Sequence, residues 1–203
     1  MLALGLQVLM VLLIRTFAPY YVTDNFDPRP VILFFLCNVR YTWLHLPIRQ
    51  EVAASHLRDL HDVLGWCGIH FWLTEGTALG AIREGRVIPT DTDIDIGIRS
   101  EDRPTLERLA LPLLQRRGFV VWRRSPQLIS IVKAHLYVDI MCARPGGRCI
   151  DMPCDQYLPL VQPLETIRMY GLDLWTPPVS YLERVYGQDW RTPKHQWKPS
   201  YQS

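Results

Sequence analysis

Three aspartates, Asp91, Asp93 and Asp95, stand at every second position in the stretch EGRVIPTDTDIDIGIRS, residues 84–100, with Ile94, Ile96 and Ile98 in the alternate places. In an extended strand successive side chains point to opposite faces, so this spacing lines acids along one face and turns the isoleucines toward a core. Neighbouring acids then lie about 6.7 Å apart along the strand, and at an effective dielectric near 20 each adjacent pair repels by roughly 2.5 kcal/mol. A divalent cation is the economical way to neutralise them, because hard ions such as Mg²⁺ prefer carboxylate oxygens. An EF-hand calcium loop is excluded, since Ile96 and Asp102 stand at the sixth and twelfth positions, where glycine and glutamate are required. A solvated acidic turn is the alternative that alternation alone leaves open.

Two further stretches bear on the choice. In TEGTALGAIREGRVIP a Gly76-Thr77 turn follows a strand, and backbone N–H groups there can approach phosphate oxygens closely. In AHLYVDIM the alternation recurs, so Asp139 shares a face with Tyr137 and His135 while Leu136, Val138 and Ile140 take the other. An acid set inside an apolar strand requires a partner.

The elements that must hold these groups can be read from periodicity. Ala53, Leu57, Leu60 and Leu64 form one helical face, which predicts a helix over residues 48–64 ended by Gly65. IHFWL, residues 69–73, reads as a strand breaking at Glu75-Gly76-Thr77. RPTLERLALPLLQRR reads as a helix in spite of Pro112, and FVVWR, LISIVKA and LYVDIMC read as three strands. Pro178 opens and Gly187 closes a short helix. The expected fold is α/β (α+β), a mixed central sheet flanked by helices.

Composition bounds the rest. The 203 residues are 48% apolar and 21% charged, enough for one catalytic-sized domain, and a net charge of +2 argues against a nucleic-acid-binding surface. Arg116, Arg117, Arg123 and Arg124 read as solvated residues at a helix end and a strand start. The five cysteines form no C-x-x-C pair; Cys149 and Cys154 can bridge across a Pro/Gly-rich loop in an oxidising lumen or remain free. The oligomeric state is not legible.

The run MLALGLQVLMVLLI stops at Arg15, about 20 Å of helix and too short to span a bilayer alone. Extended to Val22, with Tyr20 and Tyr21 at the interface, it predicts a signal anchor over residues 1–22. A cleaved signal peptide fits less well, because no basic residue precedes the run. Residues 23–46 are expected to form a short connector, 47–193 the catalytic domain and 194–203 a tail.

Strand, Gly-Thr turn, D-x-D strand and single-Asp strand together form the constellation of nucleotidyltransferase-fold enzymes. The sequence resembles the LicD and fukutin-related family, whose hallmark runs G-T-L-L-G-x-x-R-x-G-x-x-I-P-W-D-x-D-x-D. Here Gly76 to Gly80, Arg83, Gly85, Ile88-Pro89-Thr90 and Asp91 to Asp95 match it, HLYVDI is similar to its H-x-x-V-D strand, and YLERVYGQDWRTP to its closing Y-L-x-x-x-Y-G-x-x-W motif. Thr90 departs from the family tryptophan. The resemblance covers roughly residues 68–193 and implies a nucleotidyltransferase-like fold and a metal-dependent transfer of a phospho-alditol or phosphocholine group from a CDP-linked donor to a glycan or glycoprotein hydroxyl. By motif, Asp93, Asp95 and Asp139 would be catalytic and would hold Mg²⁺ or Mn²⁺, with Asp91 outside them; Gly76, Thr77 and Arg83 would contact the donor's phosphates. Tyr186 and Gly187 are read as a helix end and Trp190 as a packing aromatic, outside the site. With the anchor, the resemblance implies a single-pass membrane protein of the Golgi or ER with a lumenal catalytic domain. Two other functions are carried beside this one. The same site would serve to attach the nucleotide itself, and the Thr90 departure and small size fit a membrane-tethered, non-catalytic pseudoenzyme that binds a glycan or a partner.

Overall fold

The computed structural model describes Leu44, residues 46–149 and residues 152–193. The expected anchor, nearly all of the connector and the tail lie outside the described residues. Among the described residues no helix is long and apolar enough to cross a membrane.

Helix α1 (Gln50–Trp66) buries Ala53, Leu57, Leu60 and Leu64, the face its periodicity marks. Strand β1 (Phe71–Leu73) follows and is shorter than expected. Gly76 and Thr77, read from sequence as a turn, instead lie in the first turn of helix α2 (Glu75–Glu84). Extended Thr74, at φ −141° and ψ 174°, passes the chain straight from strand to helix, and Gly85 ends the helix at φ 66°. Strand β2 (Asp93–Arg99) starts after Asp91, which sits in a turn where its N–H donates to the Ile88 carbonyl at 3.1 Å. The three acids therefore do not all belong to one strand.

The helix expected beyond residue 100 is broken into a 3₁₀ turn (Ser100–Asp102), α3 (Arg103–Thr105), a π turn (Leu106–Ala110) and α4 (Leu111–Arg116). Pro112 has no N–H for the preceding turn, and the widened π turn just before it absorbs that break. Strands β3 (Val120–Arg124), β4 (Leu128–Lys133) and β5 (Leu136–Ala143) follow, with Ala134 and His135 forming the β4–β5 turn at φ 49° and 62°. His135 is exposed in that turn and takes no place beside Asp139. The short pair β6 (Arg148–Cys149) and β7 (Met152–Pro153) leads into α5 (Cys154–Leu160), and a disulfide joins Cys149 to Cys154. A hairpin of β8 (Glu165–Met169) and β9 (Leu172–Thr176) precedes α6 (Val179–Tyr186).

Seven strands form one mixed sheet in the order β3-β4-β5-β2-β1-β9-β8, in which β2 runs parallel to β5 and antiparallel to β1. One face carries Ile94, Ile96 and Ile98 of β2 with Val138 and Ile140 of β5 into the larger core, beneath α1. Complete burial of each such side chain contributes about 2 kcal/mol. The other face packs Trp72, Met141 and Ala143 against Tyr157, Tyr181 and Leu182. Asp93, Asp95 and Asp139 lie on this second face, where its apolar packing gives way to a cleft.

Candidate active site

The site is a row across four strands. Parallel pairing of β2 with β5 sets Asp95 opposite Asp139 and Asp93 opposite Tyr137. Strand β4 adds Ser130 opposite Asp139, and β3 adds Arg123 opposite Ser130. Arg123 reaches that position because the β3–β4 register slips between Val121 and Arg123; without the bulge Trp122 would take the place.

Hydrogen bonds lock the row. Ser130 Oγ donates to Asp139 Oδ1 at 2.5 Å, Arg123 Nη2 donates to Oδ2 at 2.8 Å, and Arg123 Nε donates to Ser130 Oγ at 2.9 Å. The Thr92 hydroxyl donates to Asp93 Oδ1 at 3.1 Å, and the Asp95 N–H donates to the Thr77 hydroxyl at 2.8 Å. Thr77 is thus buried and ties α2 to β2 through its side chain, leaving its N–H in the first helical turn, which has no partner of its own within a helix. Gly76 is required by contact: a Cβ there would lie 2.2 Å from Asp91 Oδ2.

One oxygen from each of Asp93, Asp95 and Asp139 lies within 4.8 Å of the others. Burial, reinforced by Asp91 and Asp139, pushes the Asp93 carboxyl up to about 7. Burial and the charges of Asp93, Asp91, Asp139 and Glu75 push Asp95 well above the carboxylate range. Asp139 is also raised by burial, with Arg123 and Ser130 pulling it back. Three hard oxygen donors whose charged forms are disfavoured by burial first, and for Asp93 and Asp95 by one another's charge, fit a divalent cation, which would favour those charged forms.

Two cavities meet at Glu75. The first, about 390 Å³, is lined by Gly76, Arg83, Thr90 and Asp91 together with Tyr186 and Trp190. Arg83 is held by Glu84, its Nη2 donating at 2.6 Å. Tyr186 and Trp190, set outside the site by sequence reasoning, line this cavity beside Gly76 and Asp91, and the buried Trp190 Nε1–H has no hydrogen-bond partner among the described residues. Their signal was the closing YLERVYGQDW motif, which looks the same as an ordinary packed helix end. The second cavity, about 560 Å³, is lined by Asp95, Asp139 and Glu75 with Gln127 and Met141.

Beneath Glu75 is a polar network that the sequence does not reveal, because its members are far apart in the chain. Trp72 Nε1 donates to the Tyr157 hydroxyl at 3.2 Å, the Thr74 hydroxyl bonds Tyr157 at 2.7 Å and Tyr181 at 3.2 Å, and the Tyr181 hydroxyl donates to Glu75 Oε1.

A family model described as LicD/FKTN/FKRP, nucleotidyltransferase domain, matches residues 68–178. An uncharacterized protein of Rickettsia prowazekii is 30% identical over 103 residues, 44% of this chain and 38% of that protein. The ribitol 5-phosphate transferase FKRP of Homo sapiens is 42% identical over 103 residues, 46% of this chain and 21% of that protein. The chain thus matches well under half the length of these curated relatives. Among solved structures, ANT(2'')-Ia in complex with adenylyl-2''-tobramycin has a TM-score of 0.47 at 15% identity, covering 64% of this chain and 71% of that one.

Proposed function

The chain belongs to the LicD/FKTN/FKRP nucleotidyltransferase-domain family, and on that premise we propose that it is a metal-dependent transferase moving a phospho-alditol, such as ribitol phosphate, or a phosphocholine group from a CDP-linked donor to a glycan hydroxyl. The observation that carries this reading is the convergence of Asp93, Asp95 and Asp139 from two parallel strands. These three carboxylates would hold Mg²⁺ or Mn²⁺, which when bound supplies positive charge to offset that of the donor's phosphates.

The first cavity suits the donor. The Gly76 N–H in the first turn of α2 and the Arg83 guanidinium would meet anionic oxygens there, while the Tyr186 and Trp190 rings offer flat faces to the nucleoside, and Thr77, assigned by motif to the phosphates, is buried behind them. In the transfer, the acceptor oxygen forms a bond to phosphorus as the bond from phosphorus to the CMP oxygen breaks, and the acceptor proton passes to a carboxylate or to solvent. Asp139, whose two oxygens each already accept a hydrogen bond from Arg123 or Ser130, is fixed in place as a metal ligand and suits that part better than the part of base. Positioning and charge carry most of such a reaction.

Residues 1–22 are read as an anchor that keeps the domain on the lumenal side of a Golgi or ER membrane, a placement the Cys149–Cys154 disulfide supports. Incubation with CDP-ribitol, Mg²⁺ and a glycan acceptor tests the function by product mass. Release of CMP with a ribitol-phosphate gain on the acceptor, abolished in Asp93→Ala, is the expected result. A gain of CMP on the acceptor, or turnover retained by Asp93→Ala, would overturn it.

A further inference from the structure

Two neighbouring acids, Asp91 and Asp93, serve different ends, and one residue stands between them. The Thr92 N–H donates to Asp91 Oδ1 at 2.9 Å, and the Thr92 hydroxyl donates to Asp93 Oδ1 at 3.1 Å. Asp91 Oδ2 lies against the first turn of α2, where only a glycine at position 76 leaves room for it. Asp93 is turned instead toward Asp95 and Asp139, the group of three whose oxygens lie within 4.8 Å of one another.

The Thr92 hydroxyl has a second contact. It lies 3.4 Å from the Tyr137 hydroxyl, and Tyr137 is the residue directly opposite Asp93 in the parallel pairing of β2 with β5. A threonine hydroxyl carries one proton and two lone pairs. Since Asp93 accepts that proton, the Tyr137 hydroxyl is left as the donor to Thr92, and a phenol keeps its proton at neutral pH. The three groups form a directed chain from Tyr137 through Thr92 to Asp93. A carboxylate that rotates freely must give up that freedom when it takes a cation, whereas one already held by a hydrogen bond loses less. Asp139 is held in the same manner by Ser130 and Arg123. Because the N–H of Thr92 serves one acid and its side chain the other, a substitution can remove the second contact and spare the first.

We propose that Thr92 is a positioning residue that divides the two acids: its N–H commits Asp91 to the end of α2, and its hydroxyl, oriented by Tyr137, presents Asp93 to the divalent cation. The inference rests on the metal-dependent reading of the site and adds to it two residues that set the cation's affinity. Hydrogen-bonded partners behind a metal ligand typically contribute about 10- to 100-fold in affinity.

Electron paramagnetic resonance of free Mn²⁺, titrated into the full chain with CDP present, measures cation binding without turnover. Thr92→Val keeps the branched shape and the N–H but has no hydroxyl; it should weaken Mn²⁺ binding about tenfold. Its metal-free unfolding temperature should move by no more than a few degrees. Thr92→Ser restores the hydroxyl and should bind Mn²⁺ within about threefold of the unsubstituted chain. Tyr137→Phe should weaken binding about threefold and add nothing to Thr92→Val, because the chain of hydrogen bonds is already cut there. Unchanged Mn²⁺ affinity in Thr92→Val, an equal loss in Thr92→Ser, or an effect of Tyr137→Phe undiminished beside Thr92→Val each overturns the inference while leaving the transferase reading in place. If Thr92→Val does not fold, Tyr137→Phe decides alone, and an unchanged affinity in it overturns the inference. Absence of Mn²⁺ binding by the unsubstituted chain with CDP overturns both.

Discussion

At the scale of single residues, the site is held together by opposing charges. Asp139 sits half-buried between a hydroxyl and a guanidinium, so removing the guanidinium leaves a desolvated carboxylate poorly compensated. Arg123→Met should cost about 3 kcal/mol of stability in denaturant unfolding, and Asp139→Asn placed beside it should restore most of that loss. Asp93 has the reverse character. Its folded carboxyl titrates at about 7 against an ordinary 3.8, so the fold disfavours its charged form. The stability it allows is full below pH 4 and is lost as pH rises through 7 in metal-free protein. Asp93→Asn should therefore raise the metal-free Tm at pH 8 by roughly 5 °C, about 2 kcal/mol, and abolish the added stabilisation by Mg²⁺ with CDP. Much of this was legible in sequence: alternation alone set Asp93, Asp95 and Asp139 on core-opposite faces. Arg123 was read as a solvated strand residue, because nothing in VVWRR announces the bulge that carries it into the row. Asp91 was placed on the strand by the same alternation, although the chain is still turning there and Gly76 presses against it.

At the scale of elements, the strands of the site could be read directly, whereas pieces whose reasons lie elsewhere in the fold could not. The β8–β9 hairpin escaped because ETIRM is the edge strand and mostly exposed, and because LDLWT, although its burial alternates, exposes Trp175 and buries Thr176, the reverse of what their polarity suggests. Helix α2 was mistaken for a turn because Gly76 reads locally as a breaker; its purpose is the approach of Asp91, a contact made fifteen residues later in the chain. Helix α5 is fastened at its first residue by the disulfide and carries Tyr157 to the network under Glu75. The bridge closes a short loop, with a separation of 5 residues. Loop-closure entropy then gives it about 2 kcal/mol. Replacing both cysteines with serine should lower unfolding stability by about that amount, and dithiothreitol should do the same to the unsubstituted chain while leaving the double variant unchanged.

At the scale of the whole molecule, two cores on opposite faces of one sheet keep the cleft open at the point where the second core ends. The larger core contains a polar fault. His56 is buried against Phe119, ring centroids 5.0 Å apart, with neither nitrogen bonded among the described residues. Burial first, then the nearby Lys133 charge, lowers its pKa from 6.5 to about 4, with Asp59 opposing. Lys133 and Asp59 are themselves paired at 2.7 Å, and Arg117 also bonds Asp59 at 2.9 Å. As pH falls, the unfolded chain takes up the proton near 6.5 and the folded chain only near 4. Stability present above 6.5 is therefore lost across that window, up to about 3 kcal/mol. Asp93 contributes with the opposite sign over the same range, so the slope is read as a difference: the unfolding stability of the unsubstituted chain minus that of His56→Leu should fall by this amount from pH 7 to 4. The helical face of α1 was legible from its leucines, but His56 within that buried face was not, since an amphipathic pattern says nothing of the groups that surround it.

Isothermal titration of CDP in the presence and absence of Mg²⁺ bears most directly on the site itself. Micromolar binding that requires the metal and disappears alike in Asp93→Ala, Asp95→Ala and Asp139→Ala, with each variant still folded, is the predicted result. Binding that ignores the metal, or that survives loss of Asp139, would contradict the claim that two strands supply a single cation site.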